Sequence, residues 1–219
     1  MTASAALVLA LTAVVAAVDW LAVGARNRRL EYVAKPLTTV GLIAVAVVIN
    51  PADPPARVLF VVALVFSLGG DVLLMLPARE RLFPFGLASF LVAHLAYIPG
   101  LVLLGAATGG MSGTWLVVGL LVAAVGVATV GRHVLGGVQR NASALVGAVT
   151  VYLTVILAML VAAFGTVRPL AIVGAALFCI SDSVLASNEF VRARRGAHLV
   201  VMVTYHLAQA LLVLSLINW

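Results

Sequence analysis

The stretch Ser67-Leu-Gly-Gly-Asp-Val-Leu-Leu-Met-Leu76 sets an aspartate, Asp71, inside an otherwise unbroken apolar run. An aspartate at the centre of a membrane helix costs roughly 2.5–3.5 kcal/mol on insertion scales, so such a group is kept where protein encloses it and function requires it. A second stretch, Phe178-Cys-Ile-Ser-Asp-Ser-Val-Leu-Ala186, gives Asp182 a matching setting. The surroundings of both read as membrane-spanning helix, and the two carboxylates as a candidate site.

The rest of the chain agrees. Of its 219 residues 64% are hydrophobic and 9% charged, against roughly 45–50% apolar in soluble domains. This is the composition of an all-α polytopic membrane protein, read as one domain over residues 1–219. Eight spans are predicted, at about 17–25 residues each: Ala3 to Val23, Lys35 to Asn50, Ala56 to Leu76, Pro84 to Leu104, Gly113 to Gly131, Asn141 to Phe164, Arg168 to Ser187 and Gly196 to Asn218. The first lacks the positive flank of a signal peptide and is expected to be retained. Pro36, the Asn50-Pro-Ala-Asp-Pro-Pro55 break and the glycine-rich run from Ala106 to Gly113 supply the punctuation. Cys179, the lone cysteine, excludes an internal disulfide and is expected to pack in the core.

The net charge of +6 does not point to nucleic acid, because the basic residues are dispersed between apolar runs. They alternate by side. Arg26, Arg28, Arg29 and Lys35, then Arg79 and Arg81, Arg132 and Arg140, and Arg192, Arg194 and Arg195 fall in alternate connections, leaving Arg57 and Arg168 for the other side. Positive loops face the cytoplasm, so both termini are predicted outside a bacterial-type cell membrane.

Ala63 to Met75 aligns without a gap on Gly174 to Ala186, pairing Asp71 with Asp182. Each segment is followed by a helix carrying a histidine and a tyrosine, His94 with Tyr97 and His206 with Tyr205. A parallel four-plus-four repeat would explain this. At 1.5 Å per residue both aspartates lie roughly 8 Å from the basic end of their helices. Tyr152 and the histidines lie deeper on the same side, and the predicted site is a cavity in the cytoplasmic half of the bilayer. Each group also has a plainer reading: the acids as bundle-stabilising hydrogen-bond acceptors, the histidines as core residues, Lys35 as an interface anchor, Asp19-Trp20 and Tyr32 likewise, and the glycine pairs Gly69-Gly70 and Gly136-Gly137 as close packing or turns. Two histidines without a spaced third ligand make a poor metal site, and no G-x-S-x-G nucleophile motif accompanies Ser181 and Ser183.

At Lys35-Pro36, Gly70-Asp71-Val-Leu-Leu74, Phe85-Gly-Leu-Ala-Ser-Phe-Leu-Val-Ala-His94 with Tyr97, and Ser181-Asp-Ser-Val-Leu-Ala186 with Phe190, the chain resembles the YhhN family. The resemblance implies eight membrane helices and hydrolysis of the vinyl ether bond of a lysoplasmalogen, a membrane lysophospholipid, to fatty aldehyde and glycerophospho-ethanolamine or -choline. That reaction protonates an alkene carbon, passes through an oxocarbenium-like cation and adds water. It needs an acid and a counter-anion, a division of labour that paired carboxylates perform in glycosidases. Asp71 and Asp182 are the expected catalytic pair. His94, His206, Tyr152, Tyr97, Tyr205 and Ser181 are expected to orient them, and Lys35, Asn188 and Glu189 to meet the headgroup. No cofactor or metal is called for. The rival reading is a proton-coupled transporter or a lipid-binding protein, for which polar groups would be wanted at the midplane and on both sides of it.

Overall fold

The computed structural model describes residues 2–77 and 79–217, for 79 and 80 the backbone alone. Helix starts coincide with capping side chains. Thr2 accepts from the amide of Ala5 to open α1 (Ala3–Gly24), and Asn27 from Leu30 to open α2 (Arg28–Val48). Asp53 accepts from Ala56 at the head of α3 (Pro54–Met75), whose first turn holds two prolines that need no amide partner. Then come α4 (Arg79–Ala107), α5 (Gly113–Gly126), a π-helical turn over Val127–Gly131, α6 (Arg132–Asn141), α7 (Val146–Gly165), α8 (Pro169–Phe190) and α9 (Ala197–Ser215).

With α5, the π turn and α6 taken as one continuous helix, eight helices among the described residues are long and apolar enough to cross a membrane. The chain is an all-helical integral membrane protein. Among the described residues the sole β pairing is one bridge between Pro51 and Ile217.

Several helices are longer than predicted. Asn27 starts α2 seven residues before Lys35, and the helix runs through Pro36, because the face of Ala34, Lys35, Thr38 and Thr39 is buried on both sides of the proline. Gly131 does not end the fifth span. The backbone widens there and continues, so Arg132 and Arg140 lie on helix, not in a loop. Gly137 keeps α6 against the end of α8, where a Cβ would stand 2.6 Å from Val191 Cγ2 and 2.8 Å from the Phe190 carbonyl oxygen. Asn188 and Glu189 belong to the last turn of α8. The predicted end of the last span at Asn218 and the side chain of Arg79 lie outside the described residues.

Helices adjacent in sequence pack as pairs, α1 with α2, α3 with α4 and α8 with α9, while α7 joins the bundle through α4 and α5. Helix α9 also reaches α1 and α2, and the amide of Ala52 bonds the Leu216 carbonyl at 2.7 Å, tying its end to the link before α3. The core runs through Phe60, Tyr97, Leu101, Phe178 and Leu212. Gly70 allows the Phe90 ring of α4 to lie on α3, for a Cβ there would be 2.5 Å from Phe90 Cδ2. The span from α5 to α6 is the least buried of the eight.

Candidate active site

Asp71 faces three donors on two other helices. Lys35 Nζ stands 3.2 Å from Oδ1, and the hydroxyls of Thr39 and Tyr205 donate to Oδ2 at 2.9 and 2.8 Å. Lys35 and Thr39 are one helical turn apart, so a single face of α2 supplies both. The side chain is 1% exposed, enclosed by an ammonium and two hydroxyls that all direct donors at its oxygens. Behind it, Gln209 Nε2 donates to the Tyr205 hydroxyl at 3.4 Å and Gln209 Oε1 accepts from Tyr97.

Asp182 has a lighter escort. The Tyr152 hydroxyl of α7 donates to Oδ2 at 2.5 Å, and His94 Nε2 of α4 lies 3.0 Å from that hydroxyl and 3.4 Å from Oδ2. With Tyr152 donating to the carboxylate, His94 Nε2 can satisfy the phenol oxygen as a donor, which leaves Nδ1 as the bare nitrogen; that atom is buried without a partner. The Phe178 ring meets His94 edge-on at 4.6 Å and holds it in place. The Asp182 side chain remains 16% exposed.

Two cavities meet at Asp182. One, of about 720 Å³, is walled by apolar side chains of α7 and α8, by Leu74, Leu87 and Phe90, and by the π turn, with Tyr152 on its surface. The other, of about 520 Å³, runs from Asp71, Lys35 and Tyr205 out to Arg26 in the link between α1 and α2 and to Arg28 and His198 in the first turns of α2 and α9. Asp182 and Asn188 line both. An amphiphile fits this arrangement, its chain in the first cavity and its polar end in the second.

The other expected residues are distributed around this junction. Ser181 lines the polar cavity but donates to the Val201 carbonyl at 3.1 Å, fastening α8 to α9. Asn188 accepts from the Arg194 amide at 2.8 Å, and Glu189 is exposed at the end of α8. Lys35 is 4% exposed, paired inward with Asp71. His206 belongs to a third cluster: Trp20 Nε1 donates to its Nδ1 at 3.1 Å, and buried Asp19 lies 4.0 Å from the same nitrogen. Thr39 and Gln209 were not foreseen, although each stands four residues from a foreseen one, Lys35 and Tyr205, and so on the same helical face.

Fold and site together define a polytopic membrane protein with a carboxylate set where a lipid-sized apolar cavity opens into a polar one. The chain belongs to the YhhN family, which matches residues 30–216. Proteins named lysoplasmalogenase from Mycobacterium bovis and Mycobacterium tuberculosis are each 32% identical to it over 173 residues, 78% of this chain and 64% of theirs. The match thus spans under two thirds of the length of those relatives. No solved structure matches.

Proposed function

We propose that the protein is a hydrolase of lysoplasmalogens, cleaving the vinyl ether bond to a fatty aldehyde and a glycerophospho-ethanolamine or -choline. The observation that carries this reading is the position of Asp182 on the wall common to the apolar and polar cavities, because the vinyl ether of such a lipid lies where its chain meets its headgroup.

In the proposed reaction Asp182 acts as acid and then as base. Its carboxyl proton passes to the alkene carbon farther from the ether oxygen, the π electrons forming the new C–H bond. The cation left on the adjacent carbon is shared with the ether oxygen and is stabilised by the Asp182 carboxylate and by the Asp71 anion on the polar side. Water adds to that carbon as Asp182 takes back a proton. The hemiacetal then loses its glycerol oxygen, which leaves as a hydroxyl, and the carbon becomes the aldehyde. Tyr152 and His94 position the Asp182 carboxyl. Asp71, held by Lys35, Thr39 and Tyr205, keeps its charge throughout. The proposed orientation has the polar cavity on the cytoplasmic side, a reading that the basic connections support.

The test is aldehyde release from a defined lysoplasmalogen by the purified protein in liposomes. A well-folded protein that releases none would remove the proposed substrate. Release unaffected by Asp182→Asn would remove the proposed acid.

A further inference from the structure

The polar cavity carries two cations that stand outside the close ion pairs of its own acids. Of the acids lining it, Asp71 is paired with Lys35 at 3.2 Å, Glu31 with His198 at 2.6 Å, and Asp182 faces Tyr152 and His94. None of these ion pairs involves Arg26 or Arg28, both of which line the cavity near its mouth.

The Arg26 backbone and the Arg28 side chain each have a defined setting. Helix α1 ends with the Arg26 amide bonded to the Val23 carbonyl at 3.1 Å and the Asn27 amide to Ala22 at 2.8 Å. This is the reversal in which the residue at the turn adopts a left-handed backbone and is usually glycine. Arg26 takes that conformation with φ 57°, at a steric cost a glycine would avoid. The Arg28 guanidinium lies 6.0 Å from the centroid of the Tyr32 ring, a contact that steers a cation over an aromatic face. That ring is anchored in turn, its hydroxyl donating to the Met75 carbonyl at 2.8 Å at the end of α3. Arg29, which follows Arg28 directly in the same basic cluster, does not line the cavity.

We infer that Arg26 and Arg28 form a phosphate-binding site at the mouth of the polar cavity, which takes the phosphate of a lysophospholipid whose chain lies in the apolar cavity. The site deepens the reading of the protein as a lysoplasmalogen hydrolase and rests on it for the identity of the lipid. Guanidinium groups suit a phosphate, offering paired donors to its oxygens. Lys35, the cation expected at this place from the sequence, is occupied by Asp71. The positive-inside rule alone treats Arg26, Arg28 and Arg29 alike; the cavity distinguishes them.

Binding can be read without turnover. Radiolabelled saturated 1-O-alkyl lysophosphatidylethanolamine, which has no vinyl ether to cleave, is titrated onto the purified protein alongside the phosphate-free 1-O-alkylglycerol. The paired change Arg26→Gln with Arg28→Gln is expected to weaken the phospholipid roughly 10- to 100-fold, the scale of one or two lost charge-assisted hydrogen bonds, and to leave the alkylglycerol unchanged. Arg29→Gln is expected to leave both unchanged. Equal losses for the two ligands, or an Arg29→Gln loss matching that of the pair, would overturn the site. Inorganic phosphate is expected not to displace the lipid at equal concentration; displacement would assign the arginines to free phosphate and overturn the lipid. Arginine-dependent binding with no aldehyde from authentic lysoplasmalogen would sink the hydrolase reading and leave the phosphate site standing. Aldehyde release with an unchanged KM in the double variant would do the reverse.

Discussion

Asp71 and Asp182 occupy aligned positions on α3 and α8, yet they are furnished differently. Each draws one set of donors from the helix preceding its own, α2 for Asp71 and α7 for Asp182, and another from a helix in the opposite half, α9 and α4. The plan is reciprocal; the filling is not. Asp71 has an ammonium and two hydroxyls and is 1% exposed, while Asp182 has a phenol and an imidazole, is 16% exposed and lies on both cavities. In the proposed reaction the enclosed carboxylate is the fixed counter-charge, and the one with fewer donors and an open side exchanges a proton with the substrate. That assignment gives the same residue type at matched positions two tasks, the difference coming from the helices that flank each.

The sharpest way to break this contrast is to remove one carboxylate at a time. Asp182→Asn is expected to lower aldehyde release by about 10²–10⁴-fold, the range of general acid–base catalysis, with little change in thermal unfolding. Loss of stability in place of activity would show Asp182 to be structural. At the other position the effect should fall on the fold. Lys35→Met strands the Asp71 anion and is expected to cost about 3–5 kcal/mol in unfolding measured in detergent. Lys35→Met combined with Asp71→Leu is expected to recover much of that stability while remaining impaired in turnover. If the single variant is as stable as the parent, Asp71 is not a fixed anion. A smaller effect is expected where α3 meets α4: Gly70→Ala should cost about 1–3 kcal/mol, because its Cβ would run into the Phe90 ring.

The eight spans were legible in the sequence, since long apolar runs between capping and turn residues are a local signal. Both aspartates stood out as well, as groups that hydrocarbon would otherwise exclude. Partnership was harder to read. Tyr97 and Tyr205 look equivalent beside their histidines, but Tyr205 bonds Asp71 and Tyr97 bonds Gln209. His206 turns to Trp20 and Asp19, of which Asp19 is fully buried and Trp20 partly so. Such contacts depend on the rotation of each helix about its axis, which is set by packing from all sides. A cavity was expected, but its division into an apolar and a polar chamber was beyond reach for a related reason, as the apolar chamber arises where α7, α8 and the π turn fail to fill space. That turn follows from local backbone widening around Gly126 and Gly131, and glycines alone do not distinguish it from a helix end.

Tyr152 offers the finest division between the two carboxylates. Its hydroxyl bridges His94 and Asp182, and it has a counterpart in Tyr205, which donates to Asp71. If Asp182 is the proton-transferring group, Tyr152→Phe removes its closest donor and frees His94 to approach. Turnover should fall about ten-fold, a change of roughly 1.4 kcal/mol in barrier height. Tyr205→Phe removes one of three partners from a carboxylate that transfers no proton in the proposed reaction, so turnover should fall less. A larger loss from Tyr205→Phe than from Tyr152→Phe would exchange the roles of the two aspartates while leaving the reaction itself in place.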